Sequence, residues 1–401
     1  MIATDSNERD GQPAVHTHPR RGAGPLTPLT YLVRNLGKTL PLIGVIVLAV
    51  LLISGIISLI NSIPLSIRTI YSYSKYMVAV TPRGDPEKVQ MLIDKIKQDS
   101  PVPIERLTLA RGTGTQVQSL VGKWQFVVFG IQPEDMSYML ARLGSKGVDG
   151  RLPIAGKPEV VISEPVARNK DLKIGSILLG PELPESYSPN EVKVVGIARS
   201  KEWFMLSDYA YQSEFHFPKV DAVLAFAKNL NDQGVLDKWA YESFKGERAQ
   251  VFAYFRLEEE TSKMFTTLFV ILDIVIGTLV LVITVMMGML MNIFQSQRLV
   301  EFGLLQAIGY TKRQLIRRVV SETVAVLLFG WAVGLAIGYG LLELTKSLLM
   351  DPKAYALSTW DPVAFKYTLP VPIAILLVAS MTIYFRFRKF DPVAVVERRL
   401  V

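Results

Sequence analysis

The chain has 401 residues, half of them hydrophobic and only 20% charged, with a positive mean hydropathy, whereas soluble chains run nearer a quarter charged. That balance excludes a disordered, collagen-like or nucleic-acid-arm protein and points to a membrane protein with a sizeable soluble part. Cysteine is absent, which removes disulfides, thiolate catalysis, Cys-ligated zinc and iron–sulfur clusters. Of the three histidines, His16 and His18 share a polar N-terminal stretch and His216 stands alone, a poor basis for a metal site.

Residues 1–28 are rich in Pro, Gly, Arg and Asp without apolar periodicity, the composition of a disordered tail. Leu29, Leu32, Val33, Leu36 and Leu40 then recur at helical spacing, which predicts an amphipathic helix over 29–39 lying in the membrane interface. The uncharged stretch 40–63 exceeds the roughly 20 residues that cross a bilayer. It starts too late and runs too long for a signal peptide, whose apolar core is about 7–15 residues, so it reads as an uncleaved anchor.

Residues 64–264 alternate strand and helix patterns. Strands are expected at 77–81, 104–110, 124–131, 192–198, 221–227 and 250–257, and helices at 85–98 and 232–244. The reading is an α/β domain with a β-rich insertion near 112–215, its glycines at 112 and 114 forming a hairpin. Both ends, 66–76 and 258–273, are expected to prolong the neighbouring spans as a helical stalk. The aromatic density of Trp203, Phe204, Tyr209, Tyr211, Phe215 and Phe217 fits either ordinary core or a partner- or substrate-contacting surface.

Three further spans follow, expected within 265–294 (a stalk end leading into the membrane), 318–345 and 367–387, with a short connection over 346–366. Net charge is +2 over residues 1–62, +1 over 63–264 and +5 over 265–401. The basic residues cluster after the second span (Arg298, Lys312, Arg313, Arg317, Arg318) and in the tail 388–401 with its approach (Arg386, Arg388, Lys389, Arg398, Arg399). Positive charge stays inside, so both termini are expected in the cytoplasm and residues 64–264 outside it. The basic excess is then topogenic, and no aromatic-interleaved basic patch suggests nucleic acid. No phosphate loop, nucleophile elbow, HExxH or kinase signature occurs, and nothing looks catalytic.

Residues 295–317 carry the most information. Leu299, Phe302, Leu305 and Ile308 suggest an apolar stripe on a short helix. Gly309 ends it, and Thr311 with Gln314 forms a capping box that starts the next helix. Glu301, Lys312 and Arg313 are expected on its surface. On the residues alone, this hairpin lies on lipid or docks on a partner. In the third span Gly330, Gly334 and Gly338 make a side-chain-free face for packing within the subunit or between subunits. Asp273 and Glu322 fall at span ends, where a charge need not be buried.

EFGLLQAIGYTKRQL, with a Glu in the following helix, closely resembles the pattern in permeases of the MacB/FtsX/LolC family of ABC transporters, the type VII group. Residues 150–196 resemble that family's outer domain and DPVAVV at 391–396 its terminal motif, and the order of one span, a large domain and three spans also matches. The resemblance implies an α-helical membrane protein with four transmembrane helices plus a large extracytoplasmic α/β domain between helices 1 and 2, in a bacterial inner membrane. It further implies a non-catalytic subunit without a cofactor of its own, ATP and Mg being bound by two copies of a partner ABC ATPase. A second copy of itself or a related permease, and a periplasmic adaptor, are the other partners it suggests. In that family the loop after the second span docks on the ATPase. The match places this coupling role on Glu301, Gly303, Leu304, Leu305, Ala307, Gly309, Thr311, Lys312 and Arg313. The sequence departs at Gln306, where many relatives have Arg, and at Tyr310, where they have a small residue. ATP-driven closure would be passed along the spans to the outer domain, for export or extraction of a periplasmic or outer-leaflet substrate. Two alternatives stand beside it: a regulator of a cell-wall hydrolase that moves no substrate, and a membrane-anchored ligand sensor, which the short tail leaves without an output domain.

Overall fold

A computed structural model describes residues 36–83, 85–215, 221–247 and 249–388. The tail 1–28, most of the expected interfacial helix, Phe217 and the DPVAVV motif lie outside them. Among the described residues, four helices are long and apolar enough to cross a membrane: Thr39–Ile70, Tyr254–Ser296, Lys312–Lys353 and Pro362–Arg388. The protein is thus an α-helical membrane protein with four transmembrane helices and a large α/β domain between the first two.

Helix α1 (Leu36–Ile70) runs unbroken from the expected interfacial segment into the span. Among the described residues no separate surface helix ends at residue 39. Extending an existing helix costs far less than nucleating a second one, and nothing in Gly37-Lys38-Thr39 forces a stop.

The domain is one ten-stranded sheet, with strands β1 (Val78–Pro82), β2 (Ile104–Ser119), β3 (Gly122–Ile131), β4 (Val148–Gly150), β5 (Glu159–Ser163), β6 (Ile177–Leu179), β7 (Val192–Ala198), β8 (Met205–Asp208), β9 (Ala222–Ala227) and β10 (Ala249–Phe252). Their order is β10-β1-β9-β2-β3-β8-β5-β7-β4, with β6 pairing β7. Among the described strand pairs, β3–β8 and β5–β7 are parallel and the others antiparallel.

The period of two along β9 separates the two cores. Val223 and Ala225 join Val78 and Val80 under helices α2 (Val89–Asp99) and α6 (Gln233–Ser243), through Leu92, Ile96, Leu236 and Ala240. Leu224 and Phe226 face the other way and pack with Phe129 and Ile131 under α3 (Pro133–Arg142), through Met136, Met139 and Leu140. A third cluster joins β5, β7 and β3 to α4 (Glu164–Lys170) through Val160, Val194, Val128 and Val166.

Three expectations are corrected. Gly112 and Gly114 lie in the middle of β2, opposite Phe129 and Val127, and the turn falls instead at residues 120–121. A Cβ on Gly112 would meet Val127 Cγ2 at 2.7 Å, so here glycine marks a close cross-strand approach. The β-rich part is no separate insertion, because the long β2–β3 pair carries the sheet through both halves. The strand expected at 250–257 stops at Phe252, opposite Ala79 of β1, and α7 (Tyr254–Ser296) begins two residues on. Arg256 with Glu259 and Glu260, and Glu259 with Lys263, are ion pairs at helical spacing. Helices α3, α4 and α5 (Tyr209–Phe215) were not expected.

Candidate functional site: the hairpin between the second and third spans

After α7 the chain turns at residues 297–298, forms α8 (Leu299–Ala307), and enters α9 (Lys312–Thr345). The elbow is closed by two complete local motifs. Gly309 takes φ +107°. Its N–H donates to the Gln306 carbonyl, 3.0 Å, and the Tyr310 N–H to the Leu305 carbonyl, 3.1 Å, the bond pair of a Schellman stop with glycine in the positive-φ position. A Cβ at Gly309 would meet no heavy atom within 4 Å, so conformation and not space selects glycine there. Thr311 N–H donates to Gln314 Oε1, 2.9 Å, while Gln314 N–H donates to Thr311 Oγ1, 3.4 Å, the reciprocal bonds of a capping box.

One face of α8 is bolted down. Phe302 is 1% exposed and packs with Leu315 and Val319 of α9 and with Ile383 and Phe387 of α11 (Pro370–Arg388). Leu299, Leu305 and Tyr310 flank this cluster, and Gly303 is buried. Leu304 is 55% and Ile308 77% exposed, and Ala307, Lys312 and Arg313 are also exposed. The expected stripe is therefore corrected at Ile308. At about 100° per residue a position nine residues on from Leu299 lies half a turn away from it.

Glu322 is likewise corrected, since it is buried and ion-paired. Arg298 and Glu322 are each 4% exposed, and Arg298 Nη1 donates to Glu322 Oε2 at 2.6 Å. Arg298 Nε also reaches Glu301 Oε2 at 3.0 Å, and Arg318 Nε reaches Glu322 Oε1 at 3.1 Å. Arg318 also approaches Glu301, 3.6 Å, so Glu301 is a member of this cluster and not a free surface charge. Burial opposes the Arg298 charge, but hydrogen bonds to Glu301 and Glu322 outweigh it and hold its pKa above the usual arginine value. The cluster ties the end of α7 to α8 and α9. Its partners lie 24 positions apart in sequence, and the only hint was the repeated opposite charges around the elbow.

The glycine face of α9 packs inside the chain. Gly330, Gly334 and Gly338 are buried. A Cβ on Gly330 would stand 3.1 Å from Ile46 Cβ, and one on Gly338 3.1 Å from Ser54 Oγ, both on α1.

The aromatic group of the α/β domain is mostly core. Trp203, Phe204 and Tyr211 are buried, Trp203 and Tyr211 in the cluster under α4 and Phe204 in the one under α3. They are not a contact surface, because the strand that follows Trp203 carries alternate residues into two different cores. Tyr209 is half-buried; its hydroxyl donates to Asp221 at 2.9 Å, and the Arg111 guanidinium lies over its ring. Burial, and then the Asp221 carboxylate, raise the Tyr209 pKa. Phe215 ends α5, and its side chain lies outside the described residues. Among the described residues, no three His, Asp or Glu side chains gather as a metal site would require.

Residues 274–392 match the model of a protein family described as FtsX-like permease C-terminal. Two solved structures are similar to part of the chain. The periplasmic region of MacB from Actinobacillus actinomycetemcomitans is 11% identical, covering 46% of this chain and 92% of that one, with a TM-score of 0.27. The extracellular domain of the ABC-type transporter YknZ from Gram-positive bacteria is 12% identical, covering 44% of this chain and 99% of that one, with a TM-score of 0.25. No curated protein matches the chain.

Proposed function

We propose, from the match of residues 274–392 to the FtsX-like permease C-terminal family, that the chain is an ABC-transporter permease that converts ATP hydrolysis by a separate ATPase into movement of its α/β domain. The α8 hairpin is the docking element and the α/β domain, on the outer side of the bacterial inner membrane, is the working part. Both termini lie in the cytoplasm, where the basic clusters around α8 and after α11 belong. Two ATPase copies serve two permease chains, and the load is a periplasmic or outer-leaflet substrate. ATP and Mg bind in the ATPase, and the permease itself is non-catalytic.

One observation carries this reading. The hairpin is rigid on one side, through Phe302 and the Arg298–Glu322 pair, and presents Leu304, Ala307, Ile308, Lys312 and Arg313 on the other. A helix resting on lipid needs no such anchoring. A helix that must transmit a push does, because slack in the hairpin would absorb the displacement.

The test is purification of the tagged chain from membranes of its native cells, with bound proteins identified by mass. An ABC ATPase is expected with the wild type and not with Leu304→Asp, which places an unpaired charge in the contact, while both chains accumulate equally in the membrane. If Leu304→Asp retains the ATPase, α8 does not dock it. If no ATPase is found with the wild type, the reading itself fails.

A further inference from the structure

The loop between α9 and α10 (Pro362–Thr368) does more than join two spans. After α9 the chain widens into a π-turn at Lys346–Met350 and tightens into a 3-10 turn at Asp351–Lys353. There it meets the end of α4. Arg168 Nη1 donates to the Asp351 carbonyl at 3.1 Å, and Asn169 Nδ2 to the Lys353 carbonyl at 2.9 Å. The Lys353 ammonium pairs with Asp171, and the Tyr355 hydroxyl donates to Gln118 Oε1, 3.3 Å. Ala354 packs against the cluster that holds Val117, Val166 and Ala167.

Two features mark this contact as built. Asn169 is 1% exposed and its amide is fully used: Oδ1 accepts from the Gln118 N–H at 2.9 Å, and Nδ2 donates to the Gln118 and Lys353 carbonyls. One side chain thus clamps β2, α4 and the loop together. Asp171 (φ 53°) and Ala354 (φ 56°) are, among the described residues, the non-glycine residues with left-handed backbone, and both lie here. Such conformations cost energy and persist where surrounding contacts enforce them. The same loop also touches α1: Ser66 Oγ reaches the Ala356 carbonyl at 3.5 Å, and Asn61 Nδ2 donates to Asp361 at 2.6 Å.

We propose that the α9–α10 loop is a strut that holds the α4 end of the sheet to the third and fourth spans, a mechanical connection separate from the continuous helices α1 and α7. In this proposal the contact, with its buried and fully bonded amide, stays closed while the protein works, so that displacement of α9 moves α4. The strut rests on the function proposed above only for the force it carries; the contact itself is testable without an ATPase.

Because the natural chain has no cysteine, Asp171→Cys with Lys353→Cys offers a single pair of thiols to a short thiol-reactive cross-linker. The full-length protein should form the intrachain bridge nearly completely, read by mass. In Asn169→Leu, hydrogen exchange should quicken at least tenfold over residues 166–171 and 351–357, and stay unchanged in β1, α2 and α6. In complex with the ATPase, the bridged protein should keep its ATP-driven change at an environment-sensitive dye carried by a thiol-free, bio-orthogonal side chain placed at Lys157. Asn169→Leu should lose most of that change while still binding the ATPase. Failure to bridge, or unchanged exchange, shows there is no strut. Loss of the ATP-driven change on bridging shows a latch that must open, and a full response in Asn169→Leu shows a contact that carries no force; each overturns the proposal. Absence of a bound ATPase refutes the earlier reading instead, and the strut is then decided by bridging and exchange.

Discussion

Arg298 and Glu322 meet at 2.6 Å with both side chains shielded from solvent, joining the turn after the second span to the first turns of the third. A buried pair of this kind adds little to stability compared with an apolar pair of similar size, and removing one partner costs about 3–5 kcal/mol where the other is left unpaired; here Arg298 keeps Glu301 and Glu322 keeps Arg318, which lowers that cost. Arg298→Ala and Glu322→Ala should therefore each lower the unfolding midpoint of the purified protein measurably, by less than the loss of an isolated buried pair. Glu322→Gln should do so less, since an amide still accepts from Arg298. Equal and small effects for all three, by thermal or denaturant unfolding in detergent, would show that the cluster is solvated.

Asp237 gives a pH dependence with a definite sign. Burial is the main cause that raises its carboxyl from 3.8 to about 7, against the hydrogen bonds from Gln233 and the Tyr254 backbone that favour the charged form. The folded state thus holds a proton that the unfolded chain has already released. Its contribution to stability is full below about pH 4, declines as pH rises, and is gone above about pH 7. Wild type should lose stability across that window relative to Asp237→Asn, whose side chain does not titrate. A parallel pair of stability–pH curves would contradict this.

How far the sequence led depended on the range of the interactions involved. The elbow was legible because its signals are local: Gly309 for the positive φ, Thr311 and Gln314 for the reciprocal cap. The four spans were legible by length and lack of charge. The Arg298–Glu322 pair was not, since a charge near a span end looks alike whether solvated or paired. The aromatic group around Trp203 was ambiguous for the same reason, as density along the chain does not say which side of a sheet a ring faces. Gly112 misled because glycine serves turns and tight strand pairs equally, and only the Val127 contact separates them.

Gly330 tests the packing of α9 on α1. A Cβ there would already stand 3.1 Å from Ile46 Cβ, so Gly330→Leu forces the two helices apart. Overpacking of this size costs about 1–3 kcal/mol. The variant should unfold at lower temperature, and Ile46→Ala in the same chain should recover part of the loss. If the double variant is less stable than Gly330→Leu alone, the close contact is elsewhere.

The topology is checked with single cysteines in the naturally cysteine-free chain. Lys157 and Gln297 are both exposed, so access depends only on the side of the membrane. In intact cells an impermeant thiol reagent should label Lys157→Cys and not Gln297→Cys, and both after the membrane is opened. Labelling of Gln297→Cys from outside would place the α8 hairpin beyond reach of any cytoplasmic ATPase.

Gly309 separates a shaped elbow from a merely flexible one. At φ +107° a β-branched side chain is strongly disfavoured, although nothing lies within 4 Å of where its Cβ would sit. Gly309→Val therefore has room but not conformation, and must give up the bonds from Gly309 to Gln306 and from Tyr310 to Leu305. Membrane insertion and the stability of the α/β domain should be unchanged, as neither depends on the elbow. ATPase binding should fall at least tenfold, because Leu304 and Ile308 on one arm and Lys312 and Arg313 on the other no longer form a single surface. Gly309→Asn is the internal control: asparagine tolerates positive φ better than other side chains, so it should retain more of the binding than valine. If valine and asparagine behave alike, the loss comes from side-chain bulk at the contact, and the backbone shape of the elbow is not what the ATPase reads.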